Sequence, residues 1–295
     1  MTGTRFSDKQ DVFFAHAHLV GSVWWEPVRD TFEERVTAVA SVGSTGMGMA
    51  TKELDDLLRT RAPEDLRAIL DAHGVRIGEL EILFGWQADA GSEEAVTGQV
   101  SEKAVFHYAE VFGATRVKTL AVMTPDAEVP PLDVLTERFA AMCDRAAGHG
   151  LTVAVEPVAF LPRFDHALAA AMVMGAERPN GGLLLDSWQT FRDPTGLDAL
   201  DRVEARHITH VELADGHATP EGSVQEDCFH SRLLPGEGDF DLAGFVRTLD
   251  AKGVDVDDLS VEVLSWKLRT LTPQENVEVS VAAVRDVLAA ARTPF

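Results

Sequence analysis

Residues 151–160 read LTVAVEPVAF, and residues 181–192 read GGLLLDSWQTFR. Each is an apolar run of strand length that ends in a carboxylate, Glu156 or Asp186, and then passes into loop-like sequence. Residues 207–216, HITHVELADG, and 259–266, LSVEVLSW, place His210 and Glu262 in a related setting. Short apolar runs bounded by turn signals fit strands buried on both faces of a parallel sheet. In a barrel of parallel strands, all strand C-termini open on one face, and that face carries the active site. Glu156, Asp186, His210 and Glu262 gathered there make an oxygen-rich set suited to a divalent cation with open coordination positions.

Working outward, candidate strands fall at 11–18, 75–83, 115–122, 151–156, 182–186, 207–213 and 259–264, with a fainter one at 42–49. Amphipathic stretches at 101–112, 132–148, 166–175, 242–253 and 274–291 separate them. This alternation predicts parallel βαβ units. Gly74, Gly113, Gly150 and Gly253 each stand just before a strand, where a helix C-cap glycine belongs. Eight strands of this kind close most simply into a single (β/α)8 TIM barrel spanning residues 1–295. The competing open, doubly wound sheet lacks its GxGxxG after the first strand. Two connections, 83–99 and 214–241, are long enough to suggest functional loops.

The chain has 295 residues, which suits one such barrel of about 250 residues or more. It is 45% hydrophobic and 25% charged, an ordinary globular balance. The net charge of −22 argues against nucleic acid as a partner, because phosphate binding needs surplus Lys and Arg. Two cysteines, Cys143 and Cys228, are too few for a disulfide framework. No signal-like or membrane-spanning apolar run occurs, so a cytoplasmic location is expected.

The strings VAVEP, LLLDSWQTFR, HVELADG, RLLPGEGDFDLAGF and LSVEVLS resemble the xylose isomerase-like TIM-barrel superfamily, in particular its sugar phosphate isomerase/epimerase branch. The similarity runs from about Ile77 to the C-terminus and more loosely to strand 1, with PGEGDFD the most distinctive part. Relatives of that kind include hydroxypyruvate isomerases, ketose 3-epimerases, inosose dehydratases and 3-dehydroshikimate dehydratases. The resemblance implies one divalent ion (Mn2+, Mg2+, Co2+ or Zn2+) held by Glu156, Asp186, His210 and Glu262, with Arg232 binding substrate. It also implies proton abstraction beside the carbonyl of a keto-sugar or keto-polyol, with Glu156 and Glu262 as the acid/base pair. A dehydratase is the alternative outcome, and His210 weighs against the dehydroshikimate type. The barrel subunit of a C-glycoside-cleaving complex, with a small second subunit, is a further alternative. An endonuclease IV-like role is disfavoured by the acidic charge and by the absence of histidine from strand 4.

One departure stands out. The family usually carries Asp-Trp-His after strand 6, whereas here Gln189 takes the histidine's place. Glutamine can hydrogen-bond a substrate hydroxyl but cannot exchange a proton near neutral pH. Glu81 and Trp86 are further substrate-contact candidates, and Trp24 and Trp25 could wall the same pocket. Lys118 would matter if it points into the barrel. His16 and His18 are expected to alternate along strand 1, Asp215 to cap a turn with Gly216, and Arg192 to meet either an anion or an ion-pair partner. Trp86 or Trp266 could supply a homo-oligomer contact.

Overall fold

Eight parallel strands close on themselves in sequence order: β1 (Val12–Phe14), β2 (Gly46–Ala50), β3 (Arg76–Leu83), β4 (Arg116–Thr119), β5 (Thr152–Val155), β6 (Gly181–Asp186), β7 (Ile208–Leu213) and β8 (Leu259–Val261), with β8 pairing β1. The structure is a computed structural model and describes residues 6, 10–23, 26–88, 100–122 and 124–293. The expected (β/α)8 barrel is therefore present. Trp24, Trp25 and residues 89–99 of the loop after β3 lie outside the described residues. Among the described residues, no helix is long and apolar enough to cross a membrane.

Helices at Glu102–Phe112, Leu132–Ala147, His166–Ala176, Leu242–Lys252 and Pro273–Ala291 form the outer layer where amphipathic sequence predicts them. Three more, Phe32–Ser41, Thr51–Leu58 and Pro63–His73, complete it on the N-terminal side. Their start signals are local. Thr31 accepts from the Glu34 N–H while the Glu34 carboxylate reaches back to the Thr31 N–H, a reciprocal cap repeated by Thr272 with Glu275. Gly74, Gly113 and Gly253 are the C-caps at φ between +65° and +81°. Gly150 is also left-handed, but its helix already ends at a right-handed Gly148.

Strand 1 departs from expectation. Only Val12–Phe14 is extended, and the chain turns at once into a short helix, His16–Leu19. His16 and His18 therefore do not alternate along a strand. His18 accepts from the Val263 N–H through Nδ1 (3.1 Å), and its Nε2 meets the Ser280 hydroxyl at 3.0 Å. It fastens β8 and the last helix rather than facing a ligand.

The barrel axis is charged where such barrels usually stack Val, Ile and Leu. On the lower level, Arg116 donates to Glu79 (2.6 Å) and Asp258 (3.2 Å), and the guanidinium groups of Arg116 and Arg76 lie over the Phe13 ring at 5.1 and 6.0 Å. One level up stand Glu81, Lys118 and Glu212, each two residues further along its strand than Glu79, Arg116 and His210. Gly48 on β2 has no side chain because a Cβ there would strike the Glu81 carboxylate and the His16 backbone.

The PGEGDFD segment has a clear physical cause. Asp215, fully buried after β7, accepts from the N–H groups of Gly216 (2.8 Å), Gly236 (3.0 Å), Gly238 (3.0 Å) and Phe240 (3.1 Å). A Cβ at Gly238 would collide with that carboxylate and with the Gly216 carbonyl, so only glycine fits. The expected turn at Asp215-Gly216 is thus one contact of a larger clamp. Asp215→Ala should destabilise the protein by about 3 kcal/mol, because several buried N–H groups lose a charged acceptor together. Urea denaturation would measure this, and a change under 1 kcal/mol would mean that the clamp is not needed.

Candidate active site and metal centre

At the C-terminal mouth of the barrel, Glu156, Asp186, Glu212 and Glu262 offer carboxylate oxygens that all lie within 4.8 Å of one another. Asp186 and Glu212 are direct register partners across β6 and β7, and Glu212 lies beside Ser260 of β8. Glu156 and Glu262 are the first residues beyond β5 and β8, where the strands open into the cavity. All four are buried.

The Lys118 ammonium sits among them. Its Nζ lies 3.0 Å from Glu212 Oε2, 3.0 Å from Glu262 Oε1, 3.2 Å from Glu156 Oε2 and 3.9 Å from Glu81 Oε2. Arg232, 2% exposed, donates to Asp186 Oδ2 (2.7 Å), to Glu262 Oε2 (3.3 Å) and to the carbonyls of Cys228 and Glu262 (2.9 and 3.1 Å), and its guanidinium lies over the Trp188 ring at 4.9 Å. Five carboxylates, counting Glu81, therefore face two cations. Glu81 Oε2 and Glu212 Oε1 are buried with no hydrogen-bond partner.

Electrostatics follow from this imbalance. Burial, with neighbouring carboxylates adding to it, pushes Glu81 up to about 8 and Glu156 up to about 7 against the pull of Lys118. Burial also raises Asp186, and it drives Glu212 well above the ordinary carboxylate range. Burial acts on Glu262 in the same direction, but Lys118 and Arg232 outweigh it and leave this group below its usual value. The surplus negative charge, the all-oxygen donor set and the orphaned Glu212 oxygen fit a single hard divalent cation.

Three of the four expected ligands thus come together, and one does not. His210 faces the barrel one layer below, its Nε2 3.6 Å from Glu212 Oε1 and 3.8 Å from Glu79 Oε2, its Nδ1 3.7 Å from Asp258. Burial, helped by Arg116 and Lys118, holds its pKa well below that of free imidazole, so it is neutral. Side chains repeat on one face of a strand every two residues. The residue of β7 that reaches the mouth is therefore Glu212, and the two-residue spacing within HVEL was the signal that could have found it.

Beside the cluster opens a cavity of about 230 Å³, just below the usual size of ligand sites of roughly 300–1,000 Å³. Its floor is Glu81, Lys118, Glu156, Gln189, Arg232 and Glu262, and its walls include Phe84, Phe160 and Phe229. Gln189 accepts from the Ala159 N–H through Oε1 (2.9 Å), which turns its amide nitrogen toward Cys228 Sγ at 3.7 Å. Trp86 does not line this cavity. Its indole N–H donates to the Leu120 carbonyl (2.9 Å) and its ring packs edge-on against Phe139 in the core, so it is also too buried for an oligomer contact. Trp266 is exposed and stacks on His230. Arg192 is an internal ion-pair residue, 2.6 Å from buried Asp227.

Comparison with known proteins agrees with this fold. Residues 36–286 match the family model described as xylose isomerase-like TIM barrel. The chain is 29% identical over 253 residues to a 3-dehydroshikimate dehydratase of Pseudomonas aeruginosa, covering 83% of this chain and 38% of that protein. It is 26% identical over 171 residues to an inosose isomerase of Bacillus licheniformis, covering 57% of this chain and 58% of that protein. The chain therefore spans only about two fifths and three fifths of these relatives. Among solved structures, the IOLI protein with a binding zinc atom superposes with a TM-score of 0.75 at 17% identity, covering 96% of this chain and 100% of that one. The 3-keto-D-glucoside 4-epimerase YcjR of E. coli gives 0.64 at 17%, covering 97% and 100%. These relatives include isomerases, epimerases and dehydratases.

A pH signature follows from the buried carboxyls. Groups whose folded pKa is raised bind more protons folded than unfolded, so their stabilisation is lost as pH rises through the folded value. Burial lowers the pKa of His18 to about 4 and those of His16 and His210 well below the free value, and these act oppositely, but only below about 6.5. In a chelator, the melting temperature should therefore fall from pH 6.5 to 8. Glu81→Gln should flatten that slope. A melting temperature that rises across this window would contradict the electrostatics.

Proposed function

Because this chain belongs to the xylose isomerase-like TIM-barrel family, we propose that it is a divalent-metal-dependent sugar isomerase or epimerase acting beside the carbonyl of a keto-sugar or keto-polyol. The observation that carries this reading is geometric: Glu156 beyond β5 and Glu262 beyond β8 line one cavity together, with Lys118 3.2 Å from the first and 3.0 Å from the second. Two carboxyls placed around one cavity can serve as an acid/base pair. Glu156, Asp186, Glu212 and Glu262 would hold the cation, which supplies Lewis-acid polarisation of the substrate oxygens when bound.

The chain's own residues account for the remaining work. Ionised Glu262 removes the proton α to the carbonyl, and the electron pair moves onto the carbonyl oxygen to give an enediolate. Lys118 and Arg232, both on the cavity floor, stabilise that negative charge. Glu156 returns a proton to the opposite face of the same carbon, completing epimerisation. In isomerisation it protonates the former carbonyl carbon while the neighbouring hydroxyl passes its proton to the former carbonyl oxygen. In either case Glu262 then releases its proton to solvent and Glu156 takes one up. Gln189 presents its amide N–H to a substrate hydroxyl, and the phenylalanine walls exclude water. A small, acidic-floored cavity with apolar walls suits a polyhydroxylated ring or chain and not a polymer.

Dehydration is the second reading. The match to the Pseudomonas dehydratase spans most of this chain. The same abstraction would then expel a β-hydroxyl, protonated by Glu156.

The test is exchange of substrate C–H with solvent deuterium across ketoses, inososes and keto-acids in the presence of Mg2+ or Mn2+. Glu262→Gln should lower kcat by about 10²–10⁴, the scale of a lost general base. Gln189→Ala should lower it by about one to two orders of magnitude through one lost hydrogen bond. Turnover without exchange for every substrate would rule out the enediolate route, and a dehydrated product would select the second reading.

A further inference from the structure

An ammonium group has three N–H donors. Lys118 donates to Glu212 and Glu262 and lies 3.2 Å from Glu156, three of the four carboxylates that also make up the candidate cation site. A divalent ion drawn in among these carboxylates, bonded at about 2.0–2.6 Å, would compete with Nζ for the space between them. The lysine and the ion thus cannot both sit at the centre of the cluster.

The barrel provides a second berth. Glu81 Oε2 lies 3.9 Å from Nζ, is fully buried and has no hydrogen-bond partner, while Oε1 of the same carboxylate is fixed by the His16 N–H at 2.6 Å. Only a short swing of the ammonium about its flexible stem would bring it to Glu81. Charge favours keeping Lys118 inside. A bound divalent ion favours the ionised form of every carboxyl around it. Five ionised carboxylates against Arg232 and the ion alone leave two uncompensated charges, and retaining Lys118 leaves one.

We propose that Lys118 is a resident counter-cation that fills the metal position in the metal-free barrel and shifts to Glu81 when a divalent ion binds. The site's affinity is then set by a residue that is not a ligand, with Glu81 acting on the ion through Lys118. This rests on the metal-dependent reading above.

A double-mutant cycle on the full chain tests it, using Mn2+ alone as probe, with free Mn2+ followed by electron paramagnetic resonance and melting temperatures recorded in parallel. Lys118→Met should tighten Mn2+ binding at least tenfold, while melting at lower temperature than wild type in chelator. Glu81→Gln should weaken binding at least tenfold in the wild-type background and no more than threefold beside Lys118→Met. Lys118→Gln serves the same purpose if the methionine variant does not fold. Equal penalties from Glu81→Gln in both backgrounds, or Mn2+ binding unchanged or weakened by Lys118→Met, would overturn the proposal while leaving the metal-dependent reading intact. Absence of Mn2+ binding by every variant and by wild type would overturn both.

Discussion

The contact on which the rest of the barrel depends is the Lys118 ammonium held by carboxylates from β5, β7 and β8. A charge moved from water into a protein interior costs several kcal/mol, and partners recover this only when geometry and hydrogen bonding are good. Lys118 meets that requirement by reaching across the barrel from β4. The consequence is that opposite strands are tied through the axis by charge, where an apolar barrel would rely on interlocking methyl groups. Removing any one member leaves the others uncompensated, so the cluster acts as a unit.

The same economy governs the cavity floor. Arg232 was expected to bind substrate, yet its guanidinium already serves Asp186, Glu262, the Cys228 carbonyl and the Trp188 ring. It is a pre-oriented donor whose position is fixed before anything enters. Gln189 is similar, because the Ala159 N–H locks its carbonyl oxygen and thereby selects which end of the amide faces the cavity. Rigid placement of a few polar groups reduces the conformational entropy lost on binding.

Much of this was legible in the sequence, for identifiable reasons. Glu156, Asp186 and Glu262 end apolar strands, and a carboxylate there has few structural uses, so their gathering follows from barrel geometry. His210 sits one layer below that group, beside Glu79 and Glu212, and the two-residue period that brings Glu212 to the mouth depends on where β7 ends. Trp86 could not be placed from sequence, since the direction of a side chain in the loop after a strand is set by tertiary packing. The short β1 escaped because Phe13, Phe14 and Ala15 read as strand, although the chain leaves the sheet after Phe14. The glycine-rich segment after β7 was recognisable, but its cause, the Asp215 carboxylate, appears only in three dimensions.

The two-level barrel axis has a consequence for the order of events at the mouth. Phe13, Arg116, Glu79 and Asp258 plug the lower end, and Asp186 and Glu212 have no exposed surface of their own. Of the four carboxylates that could hold an ion, Glu156 and Glu262 line the cavity, as does the neighbouring Glu81. If a divalent ion is held here as proposed, its route among the described residues is the same mouth that the proposed substrate would use. Cargo seated in the cavity would then act as a stopper, with the ion loading first and leaving last. Residence time of the metal would be governed by how often the cavity stands empty, a kinetic property that equilibrium affinity alone does not set.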